Sequence, residues 1–360
     1  MNDIVIIGGG IAGISAAARL APSADVIVLE AERQLAYHAS GRSAAAFIKD
    51  YGNSVVRALN AASVEYLTSA NGGVLGARGM MMLGKAIERK NFLVEADDFG
   101  LAEISIGEAK QKVPLINHHL VKYAAYREDV SDIDTDLLFQ NFLRIARSNG
   151  AKVQTDAQVT NIRFENGLWH LTTANQTYSA KVLVNASGAW VDQIAEMAGI
   201  EPLGFTPYRR SIARIPVPGG YDPSNWPLLD GVKESWYAKP DAGQLIVSPA
   251  DEDPVLPQDA WADDIILAEG LSRFEEMMSK PVERVTSNWA GLRTFAPDRT
   301  LVIGRSSENP EFFWIAGQGG YGFQTAAAVS QLSSDLILGH VVELDDHLCQ
   351  ALSPDRFKVH

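Results

Sequence analysis

Cysteine is nearly absent from this chain: Cys349 stands alone among 360 residues. A single thiol excludes an internal disulfide and any cysteine-built metal centre. The seven histidines do not compensate, because none recur at metal-pair spacing. His118 and His119 are adjacent and would point apart on a helix or strand, so they read as a loop or surface pair. No apolar run reaches the ~18 residues needed to cross a bilayer. Positive charge is also short: 31 Lys and Arg face 44 Asp and Glu, a net charge of -13. That balance disfavours nucleic acid and anionic membrane surfaces as partners. Strand character begins by Ile4, leaving no room for a signal peptide. The expectation is a soluble, cytoplasmic protein with no transmembrane segment and no nucleic-acid partner.

Glycine, by contrast, is present and patterned. Gly8-Gly9-Gly10-Ile11-Ala12-Gly13 follows the apolar run Ile4–Ile7 and precedes a helical stretch through Ala16 to Leu20. Gly8 permits the tight turn, Gly10 lets the backbone approach a pyrophosphate, and Gly13 lets helix and strand pack closely. The phosphate charge then meets the positive end of the helix, where Ile11 and Ala12 open the first turn. A second strand, Val26–Leu29, ends at Glu30-Ala31. An acid there accepts hydrogen bonds from the adenosine ribose and repels a 2′-phosphate, which argues against NADP. Taken alone, the motif leaves NAD and FAD both open.

With 46% hydrophobic residues the chain can bury a large core, as two domains or one large α/β domain with insertions. Helical spacing over Ser54–Ala70 puts Val56, Leu59, Val64 and Leu67 on one face. Asp134–Ser148 reads as another helix, closed by Gly150. Strand signals fall at Lys152–Thr155 and Val159–Phe164, and Asn166-Gly167 turns the chain into Trp169–Thr173. Val182–Val184 leads into Ala186-Ser187-Gly188-Ala189-Trp190. A proline- and aromatic-rich stretch from Pro202 to Pro257, with short β-like runs such as Gln244–Val247, suggests a separate sheet. Strand, glycine turn and helix then recur over Phe312–Ala316, Gly317–Gly322 and Ala326–Leu338.

These blocks, with Tyr37–Ala45, Asp132–Asp136, Tyr237–Gly243, Trp289–Arg293 and Gln318–Thr325, resemble the FAD-dependent D-amino acid oxidase family in its broad sense. Within it they are most similar to bacterial D-arginine dehydrogenases. The resemblance implies an α/β fold: a discontinuous, Rossmann-like FAD-binding domain (1–46, 132–200 and 289–360) with an inserted antiparallel-sheet substrate domain (47–131 and 201–288). It also implies non-covalent FAD, since Cys349 lies outside every cofactor block. Gly41-Arg42-Ser43-Ala44-Ala45 is similar to the loop along the pyrophosphate and isoalloxazine. Val159 matches a strand position whose backbone meets the adenine. Ala186 and Gly188 resemble a second phosphate-approach turn, which Trp190 either covers or merely supports from the core. Gly319, Gly320, Tyr321 and Gly322 are expected to aim a helix N-terminus at the flavin N1–C2=O edge, with Gln324 and Thr325 as side-chain donors.

For the substrate, Arg293 is similar to the family arginine that grips a carboxylate bidentately. Tyr51 and Tyr237 match phenols that donate to the same group. Arg210 is either a second charge in the pocket or a surface ion pair. The implied reaction is hydride transfer from the α-carbon of a D-amino acid to flavin N5, then hydrolysis to a 2-oxo acid and ammonia. Quinone, a dye-type acceptor or O2 would take the electrons. Oxidation of a 2-hydroxy acid or secondary amine stays open, as does a redox-silent flavoprotein. One departure bears on specificity. Relatives accepting D-arginine need an acid at the far end of the pocket, and Gly79–Leu83 has none, while Ala46-Phe47-Ile48 is apolar. Neutral, apolar side chains are therefore expected, unless Glu234 or Asp50 reaches the pocket.

Overall fold

The computed structural model describes residues 1–358 and contains two large sheets and one small one. The first has a parallel core. Asn2–Ile7 lies between Thr177–Asn185 and Val26–Leu29, with Lys152–Gln154 beyond the latter. Phe312–Ala316 adds in parallel to the far half of Thr177–Asn185. The near half pairs antiparallel with the hairpin Val159–Glu165 and Leu168–Thr173. Asn166 and Gly167 turn that hairpin with φ of 53° and 77°, the left-handed pair a two-residue turn needs.

Helices flank this Rossmann-like sheet. Ile11–Leu20 buries its alanine-rich face against Thr135–Ser148 and Ala326–Leu338. Asn53 caps Ser54–Ser69 by accepting from the Val56 N–H at 3.0 Å. Val56, Leu59 and Leu67 are fully buried there, but Val64, expected on the same face, is 38% exposed. Ser63 takes the inward position because its hydroxyl accepts from the Ala328 N–H, which ties two helices together.

The second sheet has nine strands and is antiparallel except where Leu228–Gly231 runs parallel to Met80–Lys85. Ser287–Phe295 pairs along Thr206–Arg214 in this sheet, so Trp289–Phe295, expected among the cofactor strands, hydrogen-bonds with the other layer. Its two faces divide by strand alternation. Met81, Leu229 and Ala238 enter one core cluster, whereas Met80, Met82 and Leu228 face another that abuts Tyr51 and Tyr237. A three-stranded sheet of Ala46–Phe47, Leu75–Ala77 and Ser131–Ile133 sits where the cofactor loop ends. His118 and His119 lie in an exposed turn with ring centroids 3.9 Å apart. Among the described residues no helix is long and apolar enough to cross a membrane, and no His/Cys/Asp/Glu group suits a metal.

Candidate functional site

A cavity of about 580 Å³ opens where the carboxyl ends of the parallel strands meet the nine-stranded sheet. Gly8, Gly10, Ile11, Ala12, Glu30 and Ala31 line one end. The packing duties read from the sequence are visible as clashes that a side chain would cause. A β-carbon on Gly13 would lie 2.0 Å from the Gly8 carbonyl, and one on Gly8 would lie 2.3 Å from the Ala186 carbonyl. The N–H groups of Gly10 and Ala12 meet no acceptor among the described residues, as expected of donors awaiting an anion. Ile11 N–H is different, because it donates to Ser40 Oγ at 3.0 Å. Glu30 already accepts from Gly9 N–H at 2.6 Å and Glu32 N–H at 2.9 Å, which fixes its carboxylate at the cavity wall.

Ser43, Ala44, Ala45, Val159, Ala186, Gly188 and Trp190 continue the wall. Trp190 packs on His38, ring centroids 4.6 Å apart, at the cavity edge. Gly41 does not line it. Its N–H closes a turn onto the Ala36 carbonyl at 2.7 Å, where a β-carbon would come within 2.3 Å. Arg42 has a duty the sequence did not suggest: its guanidinium donates to the Ala260 and Ala290 carbonyls at 3.0 Å and to Asp259 at 2.6 Å. It clips the cofactor loop to the second sheet and has little left for a phosphate. Lys239 holds the other end of that loop, donating to the Ala45 carbonyl at 3.1 Å and Asp132 at 2.8 Å.

Two corrections concern the third glycine turn. The helix begins at Ala326 as expected, with Thr325 as its cap, so Gly319–Gly322 is a turn ahead of it and not its N-terminus. Thr325 does not line the cavity, since its hydroxyl donates to the Tyr321 carbonyl at 2.9 Å. What faces the cavity is the turn itself. The N–H groups of Gly320, Gly322, Phe323 and Gln324 have no acceptor among the described residues. Gly319 is fixed to strand Ser287–Phe295 by a 2.9 Å hydrogen bond to the Thr294 carbonyl.

A second compartment of about 100 Å³ shares Ala44, Ala45, Arg210, Tyr237, Arg293, Gly320 and Gln324 with the first and adds Tyr51. Arg293 points in from Ser287–Phe295 opposite Tyr208 of the neighbouring strand. It forms no ion pair within 4.0 Å among the described residues. Although its burial works the other way, the Tyr51 and Tyr237 phenols and Glu234 hold its charge firmly on. Burial likewise pushes the Tyr51 phenol up, keeping it a neutral donor. Tyr51 sits edge-on to Tyr321, centroids 5.3 Å apart, so Tyr321 acts from behind rather than at the cavity wall. Arg210 is buried and cavity-facing, and among the described residues its one acidic neighbour within 4.0 Å is Glu252 at 3.8 Å.

Of the residues expected to make the pocket apolar, Ala46, Ile48 and Met80 line it, whereas Phe47 and Met81 pack into cores elsewhere. Asp50 is held by Arg127 at 2.8 Å and stays out. Asp230 and Glu234, however, are both in the wall. Asp230 was missed because nothing local marks it; its place follows from sheet order.

The pattern of the DAO family, "FAD dependent oxidoreductase", matches residues 3–336. The chain belongs to that family. Human mitochondrial dimethylglycine dehydrogenase is 24% identical over 93% of this chain, which spans only 42% of that protein. Bacillus licheniformis glycine oxidase is 28% identical over 61% of this chain and 58% of its own. The fold is that of Geobacillus kaustophilus glycine oxidase (TM-score 0.83, 21% identity, 99% and 98% of the two chains covered). It is equally that of FAD-bound L-alpha-glycerophosphate oxidase from Mycoplasma pneumoniae (TM-score 0.84, 19% identity, 94% of each chain). The cofactor is FAD, and the oxidoreductase's cavity suits it. Besides the free N–H groups, the buried Gln318 Nε2, Gln324 Nε2, Thr294 Oγ1 and Arg210 Nε line the cavity without hydrogen-bond partners among the described residues. Orphaned donors of this kind are costly unless a ligand meets them.

Proposed function

We propose that this FAD-dependent oxidoreductase oxidises an amino acid at its α-carbon, with the D enantiomer as substrate, giving a 2-oxo acid and ammonia. One observation carries the reading: Arg293, free of any ion pair among the described residues and flanked by Tyr51 and Tyr237, stands where the small compartment joins the FAD cavity. A planar guanidinium with two phenol donors is suited to a carboxylate. Anchoring that group fixes the rest of the molecule, so orientation is what the protein contributes to the reaction. Bound FAD supplies the two-electron acceptor for the α-hydrogen. Tyr51 and Tyr237 act as donors and no side-chain base is required when the amine arrives neutral. The imino acid leaves and is hydrolysed by water.

In this reading segments 1–46, 132–200 and 296–360 carry the cofactor, and the nine-stranded sheet carries the substrate. A cytoplasmic location and an acceptor such as a quinone, a dye-type compound or O2 belong to the same proposal. The expected preference for neutral side chains is not retained, because Asp230 and Glu234 stand in the pocket wall. The likeness to D-arginine dehydrogenases likewise belongs to this reading, resting on the sequence blocks. The glycine oxidase and dimethylglycine dehydrogenase relatives, named for a primary and a tertiary amine, leave glycine or an N-methylated glycine such as sarcosine as the second reading. Anaerobic mixing with D-alanine, L-alanine, sarcosine and lactate separates them: bleaching of the yellow protein by D-alanine alone is expected. Bleaching by sarcosine or lactate and not D-alanine overturns the proposal.

A further inference from the structure

Asp230 is 5% exposed and lines the small compartment with Arg210, Tyr237 and Arg293. Among the described residues its carboxylate takes no side-chain hydrogen bond and no ion pair within 4.0 Å. Strand geometry sets it beside the carboxylate-gripping residues. Asp230 is register partner to Tyr237 on the antiparallel neighbour strand. Directly opposite side chains share a face, with Cβ atoms ~5 Å apart. The charged and titratable groups around the acid come from several elements: Tyr237 from the paired strand, Arg210 from Thr206–Ile215, Glu234 from the turn that follows and Glu95 from the helix Arg89–Asp98. Met82, its partner on the other side, brings no charge. Burial, then Glu234 and Glu95, raise the Asp230 carboxyl well above its ordinary value of 3.8, while the Gly231 N–H and Arg210 pull the other way.

With the substrate carboxylate on Arg293 and the α-hydrogen turned to the FAD cavity, the amine and the carbon chain divide the walls that are left. Ile48, Met80, Phe99 and Leu228 are apolar and suit carbon. Asp230 is the buried, unpartnered acid, costly where it stands unless a polar group meets it, and it suits nitrogen. The compartment measures about 100 Å³, so a ligand clamped by Arg293 stays close to every wall. The nitrogen has its own requirement. Near neutral pH a free amino acid carries an ammonium, which has no lone pair. Only a free lone pair can form the C=N bond as the α-hydrogen departs, so one proton must leave the nitrogen first.

We infer that Asp230 accepts that proton: the ammonium N–H bond breaks, its electron pair stays on nitrogen, and an O–H bond forms on the Asp230 carboxylate. The inference rests on the amino-acid reading of the site and adds to it the residue that readies a bound zwitterion. The lone pair then forms C=N as the α-hydrogen leaves with its electrons for the acceptor that FAD supplies. Asp230 returns its proton to water after the imino acid has gone. A raised carboxyl suits this work, because an ordinary aspartate is too weak a base to take a proton from an ammonium, and a general base works best with its pKa near the operating pH. Glu234 lines the same compartment but is exposed, and the experiment separates the two acids.

The test follows kcat/KM for D-alanine against pH on the FAD-loaded enzyme and counts protons on a ligand that cannot react. Wild-type activity should persist well below the ionisation of the free amine, with an acid limb set by Asp230. Asp230→Asn should lower kcat/KM about 100-fold at pH 7, and the gap should shrink as rising pH strips the ammonium in solution. A loss of equal size at every pH marks a structural role and overturns the inference. The inert ligand is 2-aminoisobutyrate, which has no α-hydrogen, and calorimetry in buffers of different ionisation heat counts the protons. At pH 8 the wild type should bind it without delivering a proton to the buffer, whereas Asp230→Asn should deliver about one. A proton delivered by the wild type, or none by the variant, overturns the inference. So does a pH profile that shifts in Glu234→Gln and not in Asp230→Asn. A wild-type limb at the free amine's own ionisation overturns it without any variant and leaves the amino-acid reading standing. If D-alanine does not bleach the enzyme, and neither 2-aminoisobutyrate nor isobutyrate perturbs the flavin spectrum, the amino-acid reading falls first and takes this one with it.

Discussion

Gly320 lies against the Arg293 guanidinium: a β-carbon built on the glycine would sit 3.0 Å from Arg293 Cζ and 3.2 Å from Nε. The turn that lines the FAD cavity and the arginine that faces the substrate thus share one van der Waals contact. Gly320→Ala should push the guanidinium aside by a few tenths of an ångström. Displacement of an orienting group on this scale is expected to lower kcat/KM about ten-fold. FAD content should stay normal, and wild-type kinetics in the variant would show that the contact places nothing.

Arg293→Leu should retain FAD and lose about 100-fold or more in kcat/KM, the cost of a lost bidentate contact of about 3 kcal/mol. Arg293→Lys should recover only part, because a point charge cannot match the planar fork. Near-normal kinetics in the leucine variant would remove Arg293 from the site, and loss of FAD would give it a structural role instead.

Asp230→Asn should change stability in a pH-dependent way. Burial, aided by Glu234 and Glu95 and opposed by Arg210, raises the Asp230 carboxyl well above its ordinary value of 3.8. A raised pKa means the folded protein holds this proton more tightly than the unfolded chain does. Wild type therefore loses stability as pH climbs from about 3.8 through the higher folded value, then levels off. The asparagine variant lacks that loss, so its Tm advantage should grow across this window and vanish near pH 4. A constant difference from pH 4 to pH 8 would mean that Asp230 does not titrate as buried.

Acid precipitation should release the yellow chromophore into the supernatant as FAD. Cys349, on the helix Asp346–Leu352, packs near the Leu344 carbonyl and does not line the cavity, so no thiol is in place for a covalent link. Colour retained in the pellet would contradict this.

Arg42→Met should cut FAD retention during gel filtration and lower Tm. It removes donors to the buried Ala260 and Ala290 carbonyls, each charge-assisted bond contributing about 1.5 kcal/mol or more. Unchanged retention would mean the clip does not shape the cavity.

The parts of this fold that announce themselves in sequence are those made by neighbours along the chain. The turn at Gly8–Gly13, the hairpin at Asn166-Gly167 and the helix Ala326–Leu338 depend on local steric rules and lie where expected. Thr325 was misjudged because a hydroxyl in a turn bonds the nearest carbonyl before it reaches outward. Arg42 reads as part of the cofactor loop, and its clip, like that of Lys239, becomes visible only when the second sheet arrives opposite them. Asp230 was hidden most completely, since its surroundings come from Met80–Lys85, paired across a long stretch of chain. Strand alternation within Leu228–Gly231 was readable, but which side would face the pocket was not.

That alternation has a consequence for how the enzyme can change. Positions 80, 82, 228 and 230 face the substrate side, while 81, 229 and 238 are sealed in the opposite core. Inheritable drift in selectivity can therefore proceed by every second codon of two paired strands, leaving the packed partners untouched. A library confined to positions 80, 82, 228 and 230 should yield folded proteins with altered appetites, whereas one spread over consecutive codons should mostly yield insoluble ones.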